Sequence, residues 1–270
     1  MGLAVCATPI GNLEDVTLRV LRELEEADVV LCEDTRRTRG LLERHGVSAR
    51  LLSYHRHNEA ARTAELVPRL LAGERVALVS DAGLPGVNDP GARLIEAALE
   101  AGVPVTVLPG ASAVETALVA SGLAGERFQF VGYLPRGEKA LAALWDELAA
   151  WPHPALAFES PQRLPAALRS LAAAAPDRPV AVCRELTKLH EEVVRGTAAE
   201  LAARFAEPPK GEITLVVGPA EAGAPVEERD ALAAVVELVA AGVPRRQAAD
   251  VVARLARISR NALYAKSLKT

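Results

Sequence analysis

Aromatic side chains are scarce: Phe, Tyr and Trp together make up 3% of the 270 residues. This composition excludes a surface that stacks several bases on rings, and it leaves the core to alanine, leucine and valine. No G-x-G-x-x-G follows the first apolar run and no Walker A sequence occurs, so the usual cradles for dinucleotides and nucleoside triphosphates are missing. A G-x-S-x-G nucleophile elbow is also absent. Cysteine is limited to Cys6, Cys32 and Cys183. Each lies in an apolar, strand-like run without metal-ligand spacing, which predicts small core residues in a reducing compartment. Of the five histidines only His55 and His57 are close together. Two ligands do not make a metal site, so no metal is expected. There is no apolar run of membrane-spanning length and no signal-peptide pattern at the N-terminus. Both absences predict a cytoplasmic protein that does not engage a membrane.

What is present reads as a globular chain, 50% apolar and 24% charged. Its net charge is −4 but unevenly spread. Pro244 to Thr270 holds seven Lys/Arg (among them Arg245, Arg246 and Arg260) against the single acid Asp250, giving that segment +6 and the remainder −10. A basic tail on an acidic body predicts a polyanion contact, with a merely solvated helix face as the plainer reading.

The first part of the chain alternates strand and helix. Strands are expected over Leu3 to Ala7, Ala27 to Cys32, Arg75 to Val79 and Val103 to Leu108. Between them Val16, Val20, Leu21 and Leu24 keep helical spacing, and helices are also expected over Arg36 to His45, Glu59 to Leu71, Ala92 to Ala101 and Ala111 to Ser121. Such alternation implies a mainly parallel sheet covered on both faces. Gly122 to Glu126 reads as a joint. Beyond it, strands near 128–133, 155–158, 180–184, 192–195 and 212–217 alternate less regularly with helices, which predicts a second α/β unit with a mixed sheet. Gly218 to Glu227 reads as a linker to three C-terminal helices. The expected domains are therefore 1–121, 122–220 and 221–270.

The richest segment is Val79 to Gly91. It leaves an apolar run and packs three glycines, two prolines and two aspartates into thirteen positions. Glycine permits backbone angles that a Cβ forbids and proline fixes φ, so the loop is shaped rather than floppy. Four other marked loops follow strand ends: Ala7 to Leu13, Glu33 to Arg37, Ser53 to Glu59 and Pro109 to Ala113. In a parallel sheet all of these share one edge, where open α/β sheets bind ligands. Taken singly, each has a plain reading. Asp34 with Arg36 is a local salt bridge, Ser112 and Asn58 are helix caps. Taken together, they describe a pocket for a small polar ligand, with acceptors and backbone amides but no phosphate nest.

The set of motifs resembles a known family. Thr8-Pro9-Ile10-Gly11-Asn12-Leu13, Glu33-Asp34-Thr35-Arg36, His57-Asn58-Glu59, Ser80-Asp81-Ala82-Gly83-x-Pro85, Asp89-Pro90-Gly91 and Pro109-Gly110-x-Ser112-Ala113 are similar to the ribosomal small-subunit RNA (cytidine-2′-O)-methyltransferases of the tetrapyrrole methylase superfamily. Glu159-Ser160-Pro161-x-Arg163-Leu164, Arg184 to Lys188, Lys210-Gly211-Glu212 and Asn261-Ala262-Leu263-Tyr264 extend the likeness over nearly the whole chain. Ala111 and Leu84-x-Gly86 depart from the family pattern and bear on local loop shape only. The resemblance implies two α/β domains of tetrapyrrole methylase type with a cofactor cleft between them, followed by a helix-turn-helix-like segment. It implies S-adenosyl-L-methionine as cofactor, held by Pro9, Asp81, Ala82, Gly83, Asp89, Ala111, Ser112 and Ala113. Phe158, Leu186 and Gly211 would contribute from the second domain.

Carboxylates and carbonyls suit a cationic sulfonium better than a phosphate cradle would. Transfer to a ribose 2′-hydroxyl needs alignment and a proton acceptor, and Asp34, His57 and Glu59 are the candidates. Arg36 and Asn58, with Arg245, Arg246 and Arg260 in the tail, are the expected RNA contacts. The partners implied are 16S rRNA or the small ribosomal subunit, at a decoding-region cytidine, and a second copy of the chain in a homodimer. Two rivals stand beside this reading: a methylase of a porphyrin-like molecule, which leaves the basic tail unused, and an RNA-binding module with an inactive cofactor pocket.

Overall fold

The computed structural model describes residues 2–220, 228–256 and 258–268. Part of the expected linker (221–227), Arg257 and the last two residues lie outside the described residues. The first sheet contains β1 (Gly2–Cys6), β2 (Val29–Cys32), β3 (Leu51–Ser53), β4 (Arg75–Val79) and β5 (Val105–Leu108), in the order β3-β2-β4-β1-β5 with every pair parallel. β2 reads Val-Val-Leu-Cys and is buried throughout. A strand covered on both faces has no polar side to alternate with. Leu3, Val5, Val29, Leu31 and Leu78 face one layer, packed by Leu66 and Leu70 of α3 (Glu59–Leu71) and Leu94 and Ala98 of α4 (Ala92–Glu100). Ala4, Cys6, Val30, Cys32 and Val79 face the other, against Val20 and Leu24 of α1 (Leu18–Glu26) and Leu42 of α2 (Thr35–Arg44). The three thiols are buried core residues.

The second sheet has the order β6-β7-β10-β8-β9. It consists of β6 (Gln129–Tyr133), β7 (Ala155–Glu159), β8 (Pro179–Arg184), β9 (Glu192–Thr197) and β10 (Ile213–Val217). Only β6 and β7 run parallel, so the sheet is mixed. One face is covered by α6 (Glu138–Ala149), α7 (Leu164–Ala174) and α8 (Ala198–Arg204), through Leu141, Trp145, Leu168 and Leu201. The opposite face receives α5 (Ala113–Ser121), the helix that follows β5. Its Val114, Ala117 and Leu118 pack on Leu156, Ala181, Cys183 and Val216. At roughly 1.5–3 kcal/mol for each large apolar side chain taken from water, these contacts hold the two sheets in one body. Both sheets belong to a single compact unit that ends at Pro219.

The separate C-terminal unit contains α9 (Glu228–Ala240), α10 (Arg245–Ala256) and α11 (Arg260–Ser267) around Ala231, Val235, Ala248, Val252 and Leu263. Ser259 caps α11 by accepting from the Ala262 amide, and Lys266 pairs with Glu228 at 2.6 Å.

Three local features differ from the sequence reading. β3 was not expected: it is three half-buried residues at the sheet edge, too short for any periodicity. The residues ahead of α1 form a separate 3₁₀ turn, Leu13–Asp15, capped by Asn12, and the helix itself starts at Leu18 after the Thr17 cap. Asn58 occupies the N-cap position of α3 without capping it. Its side chain instead accepts from the His55 amide at 2.8 Å and donates to the Ser53 carbonyl at 3.1 Å, tying the loop to the end of β3.

Candidate functional site

All five parallel strands of the first sheet end at one edge, and the marked loops gather there. They are laced together by backbone. Thr8 and Gly83 exchange amide–carbonyl bonds at 2.9 and 3.0 Å, and Thr8 Oγ1 donates to the Ser80 carbonyl at 3.0 Å. Gly83 sits at φ +76°, where a side chain is strained. A Cβ there would point into the gap between the Ala111 carbonyl and Ile10, 3.8 and 3.9 Å away. The Asp34 amide donates to Asp81 Oδ1 at 3.0 Å, which fixes that carboxylate at the loop entrance.

The second sheet closes on this edge at two glycines. A Cβ on Gly11 would lie 2.6 Å from Thr187 Oγ1, and the neighbouring Asn12 amide donates to that same oxygen at 2.9 Å. Gly132, at φ +72° in β6, lets Asn88 approach so closely that a Cβ would meet its Oδ1 at 3.0 Å. The facing loop is itself bent: Glu185 and Thr187 hold φ of +52° and +63° without being glycine. A left-handed β-branched residue is a real departure from backbone preference. The bend is pinned by Glu185 Oε1, which accepts from the Glu212 amide and from Lys188 Nζ, both at 2.9 Å. These bonds hold the Glu185 carboxyl below its ordinary range. Gly211, at φ +95°, leaves room for that side chain; a Cβ there would lie 2.6 Å from Oε1.

Between the sheets Ile10, Ala82, Ala111 and Ala113 meet Phe158 and Leu186 in one apolar cluster. Two cavities open beside it. One of about 350 Å³ is lined by Pro9, Ile10, Asp81 and Ala82, with Arg36 and Lys188 at its rim. The other, about 690 Å³, lies among the aspartate loop, α4 and β6, with Arg56, Asn88, Asp89, Arg93 and Tyr133 in its wall. Burial, with Glu33 and Asp81 nearby, pushes the Asp89 carboxyl up to about 6, while Arg56 and the Ser80 hydroxyl counter the shift.

Of the residues named from sequence, Ala82, Ala111, Ala113, Phe158 and Leu186 converge, with Pro9, Asp81 and Gly83 adjoining them. Gly211 braces Glu185, and Ser112 begins α5 with its hydroxyl on Glu115. Asp89 lines the larger cavity, next to Ser80 and Asp81 of the smaller one. The proposed proton acceptors do not converge. Asp34 receives both Nε and Nη2 of Arg36, at 3.1 and 2.7 Å, which holds its carboxyl well below the usual carboxylate range and occupies the Arg36 fork. His57 is exposed and lines neither cavity. Glu59 borders the larger cavity, but its Oε1 accepts from the Gly91 amide at 3.1 Å and from Tyr54 at 3.2 Å, bracing the aspartate loop. In the C-terminal unit Arg246 and Arg260 are exposed at the starts of α10 and α11, and Arg245 is half-buried. Sequence reasoning missed Tyr133, Arg56, Asn88 and Arg93 as wall residues. Arg56 and Asn88 stood inside loops already singled out, and Tyr133 is one of only three tyrosines.

Residues 2–202 match the tetrapyrrole (corrin/porphyrin) methylases. Over 270 aligned positions the chain is 43% identical to the ribosomal RNA small subunit methyltransferase I of Mesorhizobium japonicum, covering 99% of this chain and 91% of that one. It is 44% identical to the protein of the same name from Micromonospora olivasterospora, covering 97% and 85% respectively. Among solved structures, the fold resembles uroporphyrin-III C-methyltransferase from Thermus thermophilus complexed with S-adenosylhomocysteine (TM-score 0.57, 21% identity, 81% of this chain and 97% of that one). The chain therefore belongs to the tetrapyrrole methylase family, in the branch of the ribosomal RNA small subunit methyltransferases I.

Proposed function

We propose that the protein transfers a methyl group from S-adenosylmethionine to the 2′-hydroxyl of a cytidine in the decoding region of small-subunit ribosomal RNA. The observation that carries this reading is the convergence of Ala82, Gly83 and the Ala111–Ala113 turn with Phe158 and Leu186 across the two sheets, beside the fixed Asp81 carboxylate. The residues present fit the donor. The missing Cβ of Gly83 leaves a cradle between Ala111 and Ile10, the cluster offers an apolar wall, and the polar rim is carboxylate and carbonyl. When bound, a sulfonium donor supplies an activated methyl group. Asp81 and the turned carbonyls of the loops favour a cation at the rim. Ala82, Ala111, Phe158 and Leu186 exclude water from the apolar part of the ligand. The pinned loops fix orientation, which is the main demand of an in-line displacement.

The C-terminal unit supports the RNA side of the reading. Arg246, Arg260 and Arg254 are exposed on its helices and suit phosphate contacts that position rather than specify. Two copies form the working assembly in this reading, so light scattering would return twice the 28.5 kDa chain mass. The central test incubates the protein with labelled S-adenosylmethionine and small subunits lacking the modification, followed by nucleoside mass analysis. Labelled 2′-O-methylcytidine is the expected product. Label on a tetrapyrrole, or RNA retention without any label, refutes the proposal.

A further inference from the structure

The apolar cluster and the 350 Å³ cavity account for the donor, yet the larger cavity has no assigned role. Its wall is not generic. Arg56 and Arg93 are exposed and form no ion pair among the described residues, so both guanidinium groups are available to a ligand. Tyr133 is exposed on one side and meets Phe158 edge-on at 5.5 Å on the other, so its ring is held by the residue that walls the donor cluster. Asp89 is half-buried between them, beside Ser80, which lines the donor cavity. A cation pair, an anchored aromatic face and a desolvated carboxylate next to a methyl-donor cleft match the parts of one nucleotide: phosphates, base and ribose hydroxyl.

We propose that the 690 Å³ cavity receives the target nucleotide, with Tyr133 against the base, Arg56 and Arg93 on the flanking phosphates, and Asp89 taking the 2′-hydroxyl proton. This rests on the methyl-transfer reading above and adds to it the acceptor subsite and the base. The balance is simple. The hydroxyl proton passes to an Asp89 oxygen, the oxygen pair forms the new C–O bond to the donated methyl, and the C–S pair returns to the sulfur. A general base is most effective with its pKa near the working pH. Asp34 lies far below that, tied to Arg36, whereas Asp89 stands at about 6. The groups facing Asp89 are Glu33 and Asp81 from the neighbouring loops, Arg56 and Glu59 from the β3–α3 segment, Arg93 and Glu96 from α4, and Tyr133 from β6. Burial and the surrounding acids raise the Tyr133 phenol, so it stays neutral under the base.

The experiment has a binding arm and a turnover arm. Without donor, anisotropy of a short cytidine-containing RNA is titrated against salt for wild type, Arg56→Ala, Arg93→Ala and Tyr133→Ala. Each arginine variant lowers the slope of log Kd against log salt by about one, and the tyrosine variant weakens binding without changing the slope. Unchanged RNA affinity in all three overturns the nucleotide subsite. In the turnover arm, Asp89→Asn keeps donor heat in calorimetry and RNA affinity, but loses about 100-fold or more in turnover. The rise of kcat/KM with pH through about 6 disappears with it. Loss of donor heat assigns Asp89 to the donor and overturns its role as base; so does a retained pH limb in the variant. If wild type methylates no ribose, the parent reading falls and takes the base with it, while the binding arm still decides the subsite.

Discussion

Arg178 offers the sharpest test of how the second sheet is held. It is 8% exposed and has no carboxylate partner among its bonds. Its Nε donates to the Gly218 carbonyl at 2.8 Å, and Nη2 donates to Leu148 at 3.0 Å and Trp151 at 3.4 Å. Leu148 lies in the last turn of α6, so the guanidinium caps the negative end of that helix while also clamping the chain just after β10. Burial pulls its pKa down from the ordinary arginine value, the sign expected for a cation compensated only by dipoles.

Replacing it with methionine keeps most of the stem but removes the guanidinium donor from the Gly218 and Trp151 carbonyls, and from the Leu148 carbonyl, which still accepts from the Trp151 amide at 3.1 Å. Bonds to a charged group contribute about 1.5–3 kcal/mol each. The longest of the three counts least, and losses within one network are not additive. A net cost of about 3–5 kcal/mol follows, comparable with breaking a buried charge cluster. For a unit of this size that corresponds to a melting temperature lower by about 10 °C, at roughly 2–4 °C per kcal/mol. Scanning calorimetry of the full chain measures it, with Arg178→Lys expected in between because one ammonium cannot span three separate carbonyls. A loss below about 1 kcal/mol for Arg178→Met would refute the reasoning, since it would mean that solvent satisfies those carbonyls equally well.

Thr187→Gly sets two opposed effects against each other. Release of the left-handed threonine gains roughly 1–2 kcal/mol, and loss of the exposed bond from Asn12 costs about 0.5–1.5 kcal/mol. Thermal denaturation should find Thr187→Gly at least as stable as Thr187→Ala, with weaker donor binding in both; the reverse stability order refutes the strain. Asp89→Asn should stabilise the fold at neutral pH. The folded carboxyl titrates at about 6 against 3.8 unfolded, so wild type loses stability as pH rises through that window and the variant does not. A gap that persists at pH values below the window contradicts this. Arg246→Ala and Arg260→Ala should each reduce the salt slope of rRNA binding by about one; an unchanged slope removes the C-terminal unit from the interface.

Much of the site was legible because turn chemistry sits where strands end. Gly83, Pro85, Gly110 and the Asp81 carboxylate mark the edge of a parallel sheet without any structure in hand. The two-layer core of the first sheet followed from unbroken runs such as Val29–Cys32. β3 was invisible because three edge residues carry no period. The Asp34–Arg36 pair was readable from two-residue spacing, but the roles of Glu59 and Asn58 were hidden. Each is polar and in a loop, and only the fold reveals that the Gly91 amide and the Ser53 carbonyl already hold them. The left-handed Glu185 and Thr187 carry no glycine to announce them, and Arg178 looks like any charged residue ahead of a strand.

The irregularity in β6 has a consequence for anyone reshaping the acceptor side. Phe130 pairs with Leu156 but Tyr133 with Phe158, so β6 spends one residue more than its neighbour, at Gly132. Side chains alternate along a strand, so adding or deleting a residue between Gln129 and Gly132 would turn the Tyr133 ring to the opposite face. Natural or laboratory variation in substrate preference at this wall must therefore proceed by exchange of side chains at constant length, while the connections at either end of the strand remain free to grow.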